Sequence, residues 1–165
     1  MTELPPTPSD TNPSRKRPAL VSACLLGRTC RYDGRHNRDG ELERQLEAEG
    51  LEALPFCPEE QGGLSTPRPP AWIEARDAAA VLDGADRVVT HEGRDVSEAF
   101  LRGAEGALEL CRRHGVQRAF LKERSPSCGV ARTHVAGEAV DGPGVTAERL
   151  RRAGIEVRGV EGRRP

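Results

Sequence analysis

The chain has 165 residues, the length of one domain with room for a sizeable core. It is 36% hydrophobic but only 3% aromatic, so that core must be made of Leu, Val, Ala and Ile, and its net charge of -1 gives no case for a general nucleic-acid binder. No run approaches the roughly 18 apolar residues of a membrane span, and the polar, Pro-rich start lacks a signal peptide's apolar core, so a cytoplasmic protein with no membrane contact is expected.

Residues 1–17 are rich in Pro, Ser and Thr with almost nothing to bury, and read as a disordered lead-in that ends in the basic cluster Arg15-Lys16-Arg17. Ala19–Ala23 reads as a first strand running into the Gly-punctuated loop that holds Cys24 and Cys30. Leu42 and Leu46 give Glu41–Glu49 a one-face helical spacing with Gly50 as its stop. Leu54–Phe56 is the second strand, ending at Cys57. The stretch PEEQGGLSTPRPP that follows suits neither a regular helix nor a central strand. Residues 78–84 are ambiguous, and Arg87–Thr90 reads as a third strand.

Asp95-Val96-Ser97-Glu98 has the pattern of a capping box opening a long helix, along which Leu101, Ala104, Leu108 and Cys111 share one face, and Gly115 is its stop. Arg118–Leu121 is the fourth strand, leading into the turn Arg124-Ser125-Pro126-Ser127-Cys128-Gly129. A short helix over Thr146–Ala153 and a strand over Ile155–Val160 complete a domain of residues 18–160, with 161–165 as a tail.

Strands alternating with helices predict a single α/β domain: a mostly parallel sheet flanked by helices, Rossmann-like. Such sheets bind ligands beyond the carboxyl ends of their strands, where Cys24, Cys57 and Cys128 would all emerge. Five cysteines in a reducing compartment, an odd number, suit ligands, catalysts or buried thiols better than a disulfide framework. Three convergent thiols suit an iron–sulfur cluster that keeps one iron open. A closed structural zinc site would want four ligands with tight CxxC spacing, which does not occur here. A nucleophilic cysteine would want a neighbouring His, and the four histidines are scattered.

VSACLLGRTCRYDG, FCPEEQGGLSTPRPP and LKERSPSCG resemble, in order and spacing, the three signature blocks of a bacterial family of formerly unknown function that includes the thiouracil desulfidases (TudS-like proteins). The resemblance spans about residues 18–160. It implies a [4Fe-4S] cluster with three protein ligands, matching Cys24, Cys57 and Cys128, and one open iron that takes the sulfur of a thiolated base. The sequence departs from the family pattern at Ser65, where a proline is common, and at Trp72, where an acid is common. The implied reaction replaces C=S by C=O on a thiouracil-like pyrimidine and releases sulfide, with a free base or nucleoside as substrate, thiolated RNA as a further option, and no redox partner required. The alternative reading is a non-catalytic iron–sulfur sensor or sulfur carrier.

Among the remaining candidates, Glu59 would manage the proton of the attacking water or leaving group. Ser125 and Ser127 would donate to sulfide or substrate. Lys122 would neutralise an anionic cluster or pair with Glu123, and Arg68 would bind a phosphate or carbonyl oxygen. Gly62-Gly63 would make a turn or let backbone approach a ligand. Cys30 reads as a structural thiol beside the site, with a tuning thiol or an alternative ligand as the other readings, Cys111 reads as core, and Tyr32 and Asp33 carry no assigned role.

Overall fold

Strand β1 (Arg17–Ser22) sits at the centre of the fold in the computed structural model, which describes residues 16–165. It pairs in parallel with β2 (Leu51–Phe56) on one side and β5 (Arg118–Lys122) on the other, and β8 (Glu156–Val160) pairs in parallel outside β5. Successive side chains of a strand face opposite ways, and β1 uses both faces. Ala19 and Val21 pack with Leu42 and Leu46 of α1 (Gly40–Ala48). Leu20 packs with Leu108 and Cys111 of α4 (Ser97–His114) and Leu150 of α5 (Val145–Arg152). Helices therefore cover both faces of a four-stranded parallel sheet, and Cys111 is buried core, as expected.

A second sheet was not foreseen. Its order is β4-β3-β6-β7, from β3 (Ala71–Ile73), β4 (Val88–Thr90), β6 (Arg132–Val135) and β7 (Glu138–Asp141). The strand expected near Arg87–Thr90 forms, but it pairs antiparallel with β3 and takes no part in the parallel sheet. Strands of three or four residues carry too little alternation to stand out in the sequence. The ambiguous stretch is α3 (Ala78–Leu82), capped by the Asp77 carboxylate, which accepts from Ala80 N at 2.8 Å. PEEQ forms a single helical turn, α2 (Pro58–Gln61), with proline at its first position, where a missing N–H costs nothing.

The capping box is not made. Asp95 Oδ1 accepts from Ser97 N at 2.9 Å, one position short of the capping contact, and Ser97 Oγ is taken by Val88 N. Gly115, at φ 67°, ends α4 in the left-handed conformation. Phe100 and Ala104 of α4 belong to the core under the second sheet, whereas Leu108 and Cys111 belong to that of the first, so one helix ties both sheets together.

Of the predicted lead-in, residues 1–15 lie outside the described residues; Lys16 pairs with Glu47 and Arg17 opens β1. At the other end Arg164 O accepts from Gly40 N, and Arg164 Nε reaches the fully buried Asp39 carboxylate at 2.8 Å.

Candidate active site

The carboxyl ends of all four parallel strands open on one cavity of about 550 Å³. Sheet order reverses between β1 and β5, and such a switch point leaves a crevice beyond the strand ends. A 3-10 turn, Ala23–Leu26, follows β1 directly and carries Cys24. Cys57 is the residue between β2 and α2. Cys128 arrives by the turn after β5. All three thiols line the cavity, as do Glu59, Ser125 and Ser127, so the six residues singled out from sequence come together.

Cys30 joins them. The sulfurs of Cys30 and Cys57 and a Glu60 carboxylate oxygen lie within 4.8 Å of one another. Hydrogen bonds to Cys24 and then Cys57 hold the Cys30 thiol protonated, far above its ordinary value. The same bond brings Cys24 down to about 7 against its burial, with help from Asn37, Lys122 and Arg31. Cys57 is lowered mainly by its bond with Cys30, with the Glu60 backbone and Arg68 assisting. Burial pushes Cys128 up to about 12. Cys30 thus sits between Cys24 and Cys57 and lowers both, while the Cys57 thiol also reaches Cys30 O at 3.8 Å.

Glu59 sits on α2 with both carboxylate oxygens engaged. Oε1 accepts from Arg68 Nε at 3.2 Å, and Oε2 accepts from Ser127 Oγ at 3.0 Å. Ser127 Oγ also lies 3.7 Å from Cys128 Sγ and 3.0 Å from Ser125 Oγ. Ser125 Oγ in turn accepts from Ser127 N and Cys128 N, so it shapes the turn from within. Arg68 is committed inside the protein, contrary to the expectation of a phosphate or carbonyl ligand. Its side chain is only 6% exposed, and it donates to Ser65 O, Thr66 Oγ1 and Cys30 O besides Glu59. It thus fastens the Cys30 loop to the PEEQGGLSTPRPP loop and holds Glu59 between them.

Lys122 lines the cavity, and its Nζ donates to the backbone oxygen of Glu123 at 2.9 Å; it does not pair with that residue's carboxylate. Burial lowers the Lys122 ammonium, against a pull in the opposite direction from Cys24. The buried Glu123 carboxylate turns away and accepts from Val130 N at 2.6 Å, Ala131 N at 3.0 Å and Arg132 N at 3.4 Å, which clamps the chain just past Cys128. Gly159 of β8 lies against it, and a Cβ there would overlap the carboxylate.

The close approach that Gly62 permits is to a helix, since a Cβ at Gly62 would overlap Ala99 O of α4 and one at Gly103 would overlap Pro58 O. Asn37, 4% exposed, donates from Nδ2 to Cys24 Sγ at 3.6 Å and accepts at Oδ1 from Arg31 and Arg163. Asn37, Arg31 and Glu123 were missed by sequence reasoning. Polar residues in a Gly-rich loop look solvated until the fold buries them, and no sequence signal marks Asn37 out.

A family model described as 2-thiouracil desulfurase matches residues 19–161. The chain belongs to the 2-thiouracil desulfurase family. It is 38% identical over 141 residues to the uncharacterized protein YbbK of Bacillus subtilis (strain 168), covering 84% of this chain and 92% of that one. It is also 46% identical to a solved structure of a [4Fe-4S]-dependent thiouracil desulfidase, TudS, with a TM-score of 0.74 and coverage of 87% of this chain and 91% of that one.

The desulfurase-family cavity offers the donor set such a cluster needs. It gathers the buried thiols of Cys24, Cys30 and Cys128 and the half-buried one of Cys57, with Asn37 Nδ2 and Ser127 Oγ aimed at two of the sulfurs. Lys122, Arg31 and Arg68 also line it and offset an anionic group. Among the described residues no helix is long and apolar enough to cross a membrane.

Proposed function

We propose that this protein is a desulfidase that converts the thiocarbonyl of a thiouracil-like pyrimidine, as free base or nucleoside, to a carbonyl. Water supplies the oxygen and the sulfur departs as hydrogen sulfide, so C=S becomes C=O with no net electron change. The observation that carries the reading is the meeting, in one cavity, of three strand-end thiols with a Ser127–Glu59–Arg68 chain that can take a proton.

Cys24, Cys57 and Cys128 would hold a [4Fe-4S] cluster, which when bound supplies an iron without a protein thiolate, a Lewis acid for the thiocarbonyl sulfur. The chain's own residues do the rest. Water adding to the ring carbon must lose a proton, and Glu59 Oε2 is the acceptor, directly or through Ser127 Oγ, which already donates to it at 3.0 Å. Arg68 keeps Glu59 oriented by holding Oε1. Protonation of the departing sulfur draws on the same Ser127 hydroxyl, which lies at the Cys128 end of the relay. Asn37 and Lys122 keep negative charge on the Cys24 side of the site tolerable in a buried setting. A sensor or a sulfur carrier would have no use for such a relay.

The test is an anaerobic iron and sulfide count on wild type and on Cys24→Ala, Cys57→Ala, Cys128→Ala, Cys30→Ser and Cys111→Ala, with sulfide release from 2-thiouracil measured on each. Close to four irons in wild type, Cys30→Ser and Cys111→Ala, with loss of iron and turnover in the other three, is the expected result. A protein that takes up no iron after reconstitution, or takes it up without releasing sulfide, sinks the desulfidase reading.

A further inference from the structure

The chain contains one tryptophan, one tyrosine and three phenylalanines. Phe100 and Phe120 are fully buried in the core. Trp72 and Tyr32 both line the active-site cavity, and Tyr32, 44% exposed, is the one large hydrophobic side chain left open to solvent among the described residues. A protein this poor in aromatics therefore places both of its amphipathic ones around a single cavity.

We propose that Trp72 is the specificity-determining residue of the site, a stacking platform for the planar heterocycle that carries the sulfur. The inference rests on the desulfidase reading and adds the side chain that selects flat rings. Trp72 is half-buried in the middle of β3, and its backbone is fixed by antiparallel pairing with Val89 of β4. Its benzo ring lies over the β6–β7 hairpin at Gly137, where a Cβ would sit 3.8 Å away, ordinary van der Waals contact. The indole is thus backed by the hairpin and bordered by the cavity that also holds Cys128 and Glu59.

The polar groups on that wall can orient a ring or move a proton, but they offer no flat apolar surface to lie against. An indole held in advance gives up little freedom when a ring stacks on it, and such stacking typically changes binding about tenfold to a hundredfold. Arg68 N donates to Tyr32 O, so the Tyr32 loop is tied to the segment that leads into β3.

Because Trp72 is the sole tryptophan, intrinsic fluorescence excited at the red edge reports its contacts without interference from another indole. Uracil, which has the ring but no sulfur, is titrated into wild-type protein with and without the reconstituted cluster. Saturable quenching is expected in both forms. Steady-state sulfide release from 2-thiouracil is then compared for wild type, Trp72→Ala and Trp72→Phe. The expected split is a KM raised about tenfold to a hundredfold in Trp72→Ala with kcat nearly unchanged, and most of the loss restored by Trp72→Phe.

Turnover in wild type with no quenching by uracil, or a KM in Trp72→Ala within twofold of wild type, overturns the stacking role and leaves the desulfidase reading standing. If wild type releases no sulfide, the desulfidase reading falls. The platform then stands on saturable quenching by uracil and falls without it.

Discussion

Removing the Glu123 side chain should free the turn that presents Cys128, and the contacts set the size of the effect. Three consecutive N–H groups lose a charged acceptor, each such bond being worth about 1.5–3 kcal/mol when desolvated. Val130 is half-buried while Ala131 and Arg132 are exposed, so water can replace the acceptor at two of the three, and Glu123→Ala should cost about 2–4 kcal/mol. For a chain of this size that is a fall in Tm of roughly 5–15 °C. Gly159→Ala drives a methyl into the same carboxylate and should cost about 1–3 kcal/mol alone. In the Glu123→Ala background the space is vacant, so Gly159→Ala should there cost close to nothing. The coupling in the double-mutant cycle is then about 1–3 kcal/mol. Urea unfolding of the four cluster-free proteins measures it, and iron uptake by each shows whether the turn still delivers Cys128. An equal cost for Gly159→Ala in both backgrounds would refute the clamp.

The rest of the site yields sharper chemical expectations. Arg68→Ala leaves the Glu59 carboxylate, only 16% exposed, without its cation and releases Cys30 O, so it should destabilise the protein by about 3 kcal/mol in urea unfolding and lower kcat as well. Glu59→Gln should lower kcat about a hundredfold or more without loss of iron. Ser127→Ala, which leaves Glu59 in place, should lower it about tenfold, and sulfide release under anaerobic conditions ranks the two. Cys111 supplies a pH signature, since its thiol is raised from 9.0 to about 11 by burial. Above pH 9 the unfolded chain loses this proton while the folded one keeps it, so stability falls as pH rises toward 11, by about 2–3 kcal/mol in all. Cys111→Ala should flatten the alkaline limb of stability by that amount, and an unchanged limb would show that the thiol is not titrating as argued.

The parallel sheet was legible because its strands are short apolar runs ending in turn residues, and because apolar helical spacing between them, as at Leu42 and Leu46, marks the crossovers. The convergence of Cys24, Cys57 and Cys128 followed from topology alone, since parallel strands deliver their carboxyl ends to one edge. The second sheet was not legible. Trp72 and His134 sit on strands of three and four residues whose partners are chosen by tertiary contact, such as Ile73 against Val135. Arg68 was misread for a related reason. Between two prolines it looks free, and only the fold shows its guanidinium surrounded by four internal acceptors. The Asp95–Glu98 capping pattern failed because the helix starts one residue later than the pattern places it, with Val96 in the cap position and Glu98 paired with Arg102.

The two sheets divide the work of the site in a way that their packing explains. Every thiol of the cavity, and the Ser127–Glu59 pair, comes from segments that follow the ends of the parallel strands, where close-packed strands and crossovers hold positions tightly. Trp72, His134 and Gly137 come from the second sheet and face the same cavity from the other side. The link between them is α4, whose N-terminal half packs under the second sheet and whose C-terminal half packs under the first. At its N-terminal half α4 also meets α2 backbone to backbone through Gly62 and Gly103. Pro58 is therefore pinned against α4, and its neighbours Cys57 and Glu59 are pinned with it, which is how a helix of one turn can hold the Glu59 carboxylate still. Changes in the short strands of the second sheet can reshape that side of the cavity while this crossing keeps the thiols and the Ser127–Glu59 pair in register. Substrate choice is therefore free to vary within such a fold while the sulfur chemistry stays fixed.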